Sequence, residues 1–330
     1  MSASKLDQMR ILVTSCCNLS CTHCYQHYDK NKWSLPFDKI KDLIEYAEKN
    51  KVNNLFLSGG EFFMHPKAYS IIEACMEKRI KLTIATNGTC LDMGFLKKSM
   101  LQNKIVFQIS IDGMKKNHDL RRGAGSFDKM MKNVKKLYQL GFSITGSMAI
   151  DEINFMDMIQ VLQIPEFDKI NFLPVAYTGA ACRVTRSYDE LNYQYYEKIV
   201  SSIYQKHMAG DVVTRVYPHS LGIKYDGNVY LSPVAQDMEV FCIGNIFQYS
   251  LKDILQNYLK NDSWGLINNS HRIFQNCMKC LKKNECTIRS LERAYKVNGT
   301  IEGPDPFGCR IFRNQFSKVP LGKIFWGDIC

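Results

Sequence analysis

A chain of 330 residues, 45% hydrophobic and 23% charged with 20 Gly and 9 Pro, has the composition of an ordinary globule. At about 150 residues per domain it holds one large domain and a smaller appendage. Its apolar runs are strand-sized, far short of the roughly 20 residues that span a bilayer, and Met1 to Arg10 lack an apolar signal core. These features exclude collagenous, disordered and helical membrane-spanning chains and lead to the expectation of a cytoplasmic protein. The formal charge of +11 comes from 43 basic against 32 acidic residues. Spread as pairs such as Lys97-Lys98, Lys115-Lys116 and Lys282-Lys283 without interleaved aromatics, the positive charge reads as solvated helix faces. Neither nucleic acid nor a membrane is an expected partner.

In chain order, six short apolar stretches read as strands: Ile11 to Ser15, Asn54 to Ser58, Lys81 to Thr86, Lys104 to Asp112, Phe142 to Ile150 and Lys169 to Val175. Between them Phe37, Ile40, Leu43, Ile44 and Ala47 recur at helical spacing. So do Phe127, Met130, Met131, Val134, Leu137 and Tyr138 before Gly141. Six strand-helix units imply an α/β fold with a parallel sheet and right-handed crossovers, open or curled into a partial barrel. Such folds place their chemistry at the carboxyl ends of the strands. After Val175 a polar connection leads to a helix through Tyr196, Ile199, Ile203 and Tyr204, and Tyr225-Asp226-Gly227-Asn228 predicts a hairpin turn. The chain beyond Cys242 is loop-rich. A boundary near Val216 divides the chain into residues 1–215 and 216–330.

In a reducing compartment 13 cysteines point to metal or redox chemistry rather than to disulfides. Four lie between Cys16 and Cys24, four are scattered (Cys75, Cys90, Cys182, Cys242) and five lie between Cys277 and Cys330, which suggests two separate sites. Directly after the first strand, Cys17-Asn18-Leu19-Ser20-Cys21-Thr22-His23-Cys24 supplies three thiolates within eight residues. A four-iron cluster held by three cysteines leaves one iron open to a substrate or cofactor. A structural zinc site with His23 as fourth ligand is the alternative. Cys16 has the wrong spacing for a ligand.

This cysteine spacing after the first strand resembles the radical S-adenosylmethionine superfamily. Tyr25 matches an aromatic position that lies near the adenine in that family. Ser58-Gly59-Gly60-Glu61, at the end of the second strand, resembles the segment that receives the amino group of the methionine moiety. Ala85-Thr86-Asn87-Gly88-Thr89 follows the third strand and matches another recurrent segment. Ser110-Ile111-Asp112-Gly113 and Arg122-Gly123-Ala124-Gly125-Ser126-Phe127 resemble the subgroup that modifies peptides and proteins. The resemblance covers about the first 175 residues and implies a partial (β/α)6 TIM-like barrel. Chemically, Glu61 suits the ammonium of S-adenosylmethionine, Arg122 its carboxylate, and Ser110 or Asp112 the carboxylate or ribose, while Gly59 and Gly60 allow close approach. Taken singly, Arg122 also reads as a solvated cation and Asp112 as a turn former.

Cys277-Met278-Lys279-Cys280, then Cys286 and Cys309, resemble the SPASM domain or its shorter twitch relative. Four thiolates there would close a second four-iron cluster. A full SPASM domain holds two auxiliary clusters, but Ser290 and Tyr230-Leu231-Ser232-Pro233 stand where further cysteines would be needed. One auxiliary cluster bound by Cys277, Cys280, Cys286 and Cys309 is therefore expected, with zinc as the alternative. Cys242 and Cys330 are left over, as are Cys75, Cys90 and Cys182, which read as core fillers. By analogy with radical epimerases of this architecture, Cys242 is a candidate catalytic hydrogen-atom donor.

The resemblance implies reductive cleavage of S-adenosylmethionine to a 5′-deoxyadenosyl radical that abstracts hydrogen from a peptide, leading to a crosslink, epimerisation or dehydrogenation in a ribosomally made peptide. An electron donor such as flavodoxin or ferredoxin is implied. With the first ligand at position 17 there is no room for a leader-binding winged helix before it, so a separate leader-binding protein or direct recognition is expected. A twitch-type dehydrogenase or epimerase of a sugar or aminocyclitol is a second enzyme reading. A zinc-binding or nucleic-acid-binding scaffold is the reading from another class.

Overall fold

The computed structural model describes residues 6–24, 32–78, 80–98, 104–151, 153–174, 220–231 and 238–261, together with Tyr295 and Gly299. Among the described residues the framework is one nine-stranded sheet. The first six strands are β1 (Gln8–Leu12), β2 (Asn54–Ser58), β3 (Lys81–Thr86), β4 (Ile105–Ser110), β5 (Ser143–Ile150) and β6 (Lys169–Pro174). Each pairs parallel with its sequence neighbour. The connections carry α1 (Phe37–Lys49), α2 (Ala68–Glu77), α3 (Met93–Lys98), α4 (Lys115–Arg122), α5 (Ser126–Gln139) and α6 (Met158–Leu162). This is the expected partial (β/α)6 barrel.

The helices form where apolar residues recur on one face. Ile40, Leu43, Ile44 and Ala47 of α1 are buried, the three larger side chains contributing about 2 kcal/mol each. On α5 Met130, Val134 and Leu137 are buried, while Tyr138 is exposed.

Two expectations shift. The first strand is Gln8–Leu12 and not Ile11 to Ser15. Met9 and Ile11 fill the core, and Arg10 lies over the Phe56 ring at 4.0 Å, a cation–π contact that accommodates a charged side chain inside a strand. Beyond it Thr14 leaves the ladder, donating from Oγ1 to the Trp33 carbonyl at 2.9 Å.

The second concerns the chain after residue 216. β7 (Ser220–Ile223) pairs parallel with β1 on the edge away from β2, and β8 (Asn228–Tyr230) and β9 (Cys242–Asn245) continue antiparallel. The sheet order is β6-β5-β4-β3-β2-β1-β7-β8-β9, so the core sheet runs on past the expected boundary. The Tyr225 to Asn228 hairpin forms as expected, with Gly227 at φ +84°. A further helix, α7 (Leu251–Asn261), buries Leu251, Ile254, Leu255 and Tyr258. The helix expected through Tyr196 to Tyr204 lies outside the described residues. Among the described residues no helix is long and apolar enough to cross a membrane.

Candidate active site

The strand register aligns the carboxyl ends: Leu12 sits beside Ser58, Thr86 beside Ile109 and Ser110 beside Ser147. The residues that follow these positions meet at one rim of the sheet, and the cysteine segment is fastened there by backbone and side-chain bonds. The Glu61 amide donates to the Cys16 carbonyl at 2.8 Å, and the Thr22 amide donates to the Arg121 carbonyl at 2.9 Å. Asn87 Nδ2 donates to Asn18 Oδ1 at 2.8 Å, and Asn18 Nδ2 to Thr89 Oγ1 at 2.9 Å. A Cβ on Gly60 would stand 2.5 Å from the Cys16 carbonyl oxygen, and one on Gly59 2.6 Å from that of Thr14. The two glycines let the end of β2 lie against the start of the cysteine loop.

Glu61 is buried. Its Oε1 accepts from Thr86 Oγ1 at 2.6 Å and the Phe63 amide at 3.2 Å, and its Oε2 from the Asn87 amide at 2.7 Å. Desolvation raises its carboxyl above the ordinary value, against the hydrogen bonds from Thr86, Asn87 and Phe63. The network holds the carboxylate at the rim with lone-pair capacity left on Oε2.

Asp112, fully buried after β4, is the centre of a second network. Its Oδ1 accepts from the Ala149 amide at 3.1 Å, and its Oδ2 takes both Arg122 Nε and His23 Nε2, the latter at 3.0 Å. Burial alone would raise this carboxyl, but the guanidinium of Arg122, with His23 and Arg121, holds it well below the usual carboxylate range. Asn154 Nδ2 donates to the Asp112 carbonyl at 3.0 Å. Arg121, also buried, pairs with Asp151 at 2.9 Å and donates from Nε to His23 Nδ1 at 3.4 Å. Desolvation lowers the His23 pKa, so the ring is assigned as neutral, with Nε2–H toward Asp112 and Nδ1 accepting from Arg121. Arg122 Nη1 reaches Cys21 Sγ at 3.9 Å. The Gly-Ala-Gly part of the segment after Arg122 sets this geometry: Gly123 ends α4 at φ +108° and Gly125 begins α5 at φ +76°.

The described cysteines, Cys16, Cys17, Cys21, Cys24, Cys75, Cys90 and Cys242, are free thiols. Desolvation by surrounding protein atoms pushes the Cys17 thiol up to about 11 even though the residue reaches the surface, with the Leu19 amide opposing and Glu61 adding to the rise. Desolvation also raises Cys21, while Arg122 opposes it. Three thiols on one loop, Cys21 among them 3.9 Å from the Arg122 guanidinium, are the donor type and number of an iron-sulfur cluster with an open iron. Both His23 nitrogens face the Asp112, Arg121 and Arg122 side chains, which removes the fourth ligand of the zinc alternative.

Residues 11–164 match the Radical SAM superfamily model. Over these residues the chain is similar to that superfamily. The antilisterial bacteriocin subtilosin biosynthesis protein AlbA of Bacillus subtilis is 30% identical over 155 residues, 46% of this chain and 35% of its own length. The mycofactocin maturase MftC of Mycobacterium tuberculosis is 27% identical over 177 residues, 53% of this chain and 43% of its own. The chain thus matches less than half the length of these two relatives. Among solved structures, Streptococcus suis SuiB bound to S-adenosylmethionine superposes with a TM-score of 0.70 at 16% identity, over 91% of this chain and 76% of that one.

Within the matched residues Cys17, Cys21, Cys24, Gly59, Gly60, Glu61, Thr86, Asn87, Ser110, Asp112 and Arg122 all lie at the carboxyl rim. Cys242 does not join them. It begins β9, pairs with Tyr230 and stands level with Arg10 in the middle of β1, three strands across at about 4.8 Å per step. Its half-buried thiol points to the Gly244 carbonyl at 3.6 Å. Tyr25 and the four cysteines Cys277, Cys280, Cys286 and Cys309 lie outside the described residues. Asn18, Thr89, Arg121, Asp151 and Asn154 are site-supporting residues that the motifs did not single out. Asn18 had a signal, being an amide inside the cysteine spacing.

Proposed function

We propose that Cys17, Cys21 and Cys24 hold a four-iron cluster whose open iron binds S-adenosylmethionine, and that the enzyme modifies a peptide. The observation that carries this is the three-thiol loop within the matched residues, pinned to the rim by Asn87 and Glu61 while His23 is taken up by Asp112. When bound, the cluster and S-adenosylmethionine supply one-electron reduction and a hydrogen-abstracting 5′-deoxyadenosyl radical. The protein residues bind and orient. Glu61 Oε2 accepts from the methionine ammonium, the Nη donors of Arg122 meet the carboxylate, and Ser110 and Asp112 line the carboxylate and ribose side. Tyr25 is assigned to the adenine by the family pattern.

The peptide substrate is supported by the relatives, named for a bacteriocin pathway and as a maturase. We assign residues 1–215 to the core and 216–330 to an auxiliary segment that starts on the core sheet, through β7, β8 and β9 on the β1 edge. One closed cluster on Cys277, Cys280, Cys286 and Cys309 is assigned to the latter on cysteine spacing. A flavodoxin or ferredoxin as donor and a separate leader-binding protein complete the proposal, in the reducing cytoplasm such thiolates need.

Anaerobic reconstitution should give brown protein with about eight irons per chain that cleaves S-adenosylmethionine with dithionite. Mass spectrometry of candidate peptides incubated with it should show a mass change or an altered stereocentre. Colourless zinc protein would overturn the reading, and about twelve irons would overturn the single auxiliary cluster. The register gives Cys242 no support as hydrogen-atom donor. The donor role requires that Cys242→Ala stop product formation with cofactor cleavage intact.

A further inference from the structure

Arg122 is more than a ligand waiting for a cofactor. Its side chain is 11% exposed and Asp112 is wholly buried, so their pairing carries a desolvation cost that an apolar pair would avoid. The arrangement around them is directional. Asp112 is held from behind by the Ala149 amide and from the side by His23, and Arg121 is matched by Asp151. Two guanidinium groups therefore face two carboxylates, and Arg122 is the cation on the thiol side. The Asp112 charge lies behind it, so the pair presents its positive end to Cys21.

Resting on the cluster assignment above, we propose that Arg122, fixed by Asp112, is a positioning residue that sets the charge beside Cys21 and raises the reduction potential of the cluster before S-adenosylmethionine binds. A cation beside a cluster thiolate favours the more negative, reduced state, and the Asp112 carboxylate opposes it from farther away. Reduction adds one electron from dithionite to the cluster, with no bond made or broken at Arg122.

The test uses the full chain, reconstituted anaerobically and without S-adenosylmethionine. Iron content is measured, and the paramagnetic signal is followed through a mediated dithionite titration. With wild-type iron content, Arg122→Gln should hold about tenfold less reduced relative to oxidised cluster at the wild-type midpoint, a shift of about 59 mV to more negative potential. Arg122→Lys should recover most of that shift. Asp112→Asn should move the midpoint the opposite way, a sign reversal that a purely structural role would not produce. An unshifted midpoint in Arg122→Gln with full iron overturns the proposal. If Arg122→Gln loses its iron, Asp112→Asn decides: a less negative midpoint supports the proposal, and an unchanged or more negative one overturns it. Wild-type protein without iron would instead overturn the cluster reading itself.

Discussion

Asn18, between Cys17 and Cys21, accepts a hydrogen bond at 2.8 Å from the side-chain amide of Asn87, 69 positions later just past the end of β3. A second bond from Asn18 to Thr89 makes this a two-point attachment of an otherwise surface-exposed loop. The net value of one such bond is about 1 kcal/mol. Asn18→Ala should leave the thermal unfolding of the apoprotein nearly unchanged and speed loss of iron to a chelator about fivefold. Iron release equal to wild type would show that the loop is held elsewhere.

At Gly60 the obstacle to a side chain is backbone: a Cβ there would meet the Ser15 and Cys16 carbonyl oxygens at 2.6 and 2.5 Å, and neither can rotate away. Gly60→Ala should cost about 2 kcal/mol and push the cysteine loop outward. Denaturant unfolding and iron content should both fall. A variant with normal stability and full iron would contradict the close packing.

Glu61→Gln replaces one of two accepting oxygens with a donor in a place where Thr86, Phe63 and Asn87 all donate. Leaving one donor unmatched should lower stability by about 1 to 3 kcal/mol. The variant should also bind S-adenosylmethionine more weakly by equilibrium dialysis. Unchanged binding would remove Glu61 from the ammonium site.

His118 lies against Phe127 and accepts from the Asp112 amide at 3.3 Å. Desolvation, helped by Arg122, pushes it from 6.5 down to about 4. Between these values the unfolded chain binds the proton and the folded one does not, so stability falls as pH drops from 6.5 to about 4 and this contribution is constant below. Over the whole interval the loss is about 3 kcal/mol. Urea unfolding at pH 7 and 4.5 should show a smaller decrease for His118→Phe than for wild type. Equal decreases would assign the acid sensitivity to other groups.

The six strands were legible because each is a short apolar stretch between helical patterns, and Gly227 marked the hairpin. Gln8 and Arg10 concealed the start of β1, since the Phe56 ring that accommodates Arg10 is distant in sequence. The pairing of β7 with β1 left no local signal either, because parallel partners so far apart share no turn. At the site, the cysteines, Glu61 and Asp112 followed from motif and chemistry. His23 read as a possible zinc ligand until its Asp112 partner was visible, and Arg121 gave no sign that it would be buried against Asp151.

β1 is sandwiched between β2 and β7, whose first residue, Ser220, comes more than 200 positions after Leu12. On a ribosome adding about 5 to 20 residues per second, the strand that leads into the cysteine loop keeps one edge unpaired for roughly 10 to 40 s. An open edge invites pairing with another chain. A nascent chain interrupted before β7 thus carries its most chemically valuable strand as an adhesive one, and C-terminal truncations ending short of Ser220 should partition into aggregates even though every strand from β1 to β6 is present.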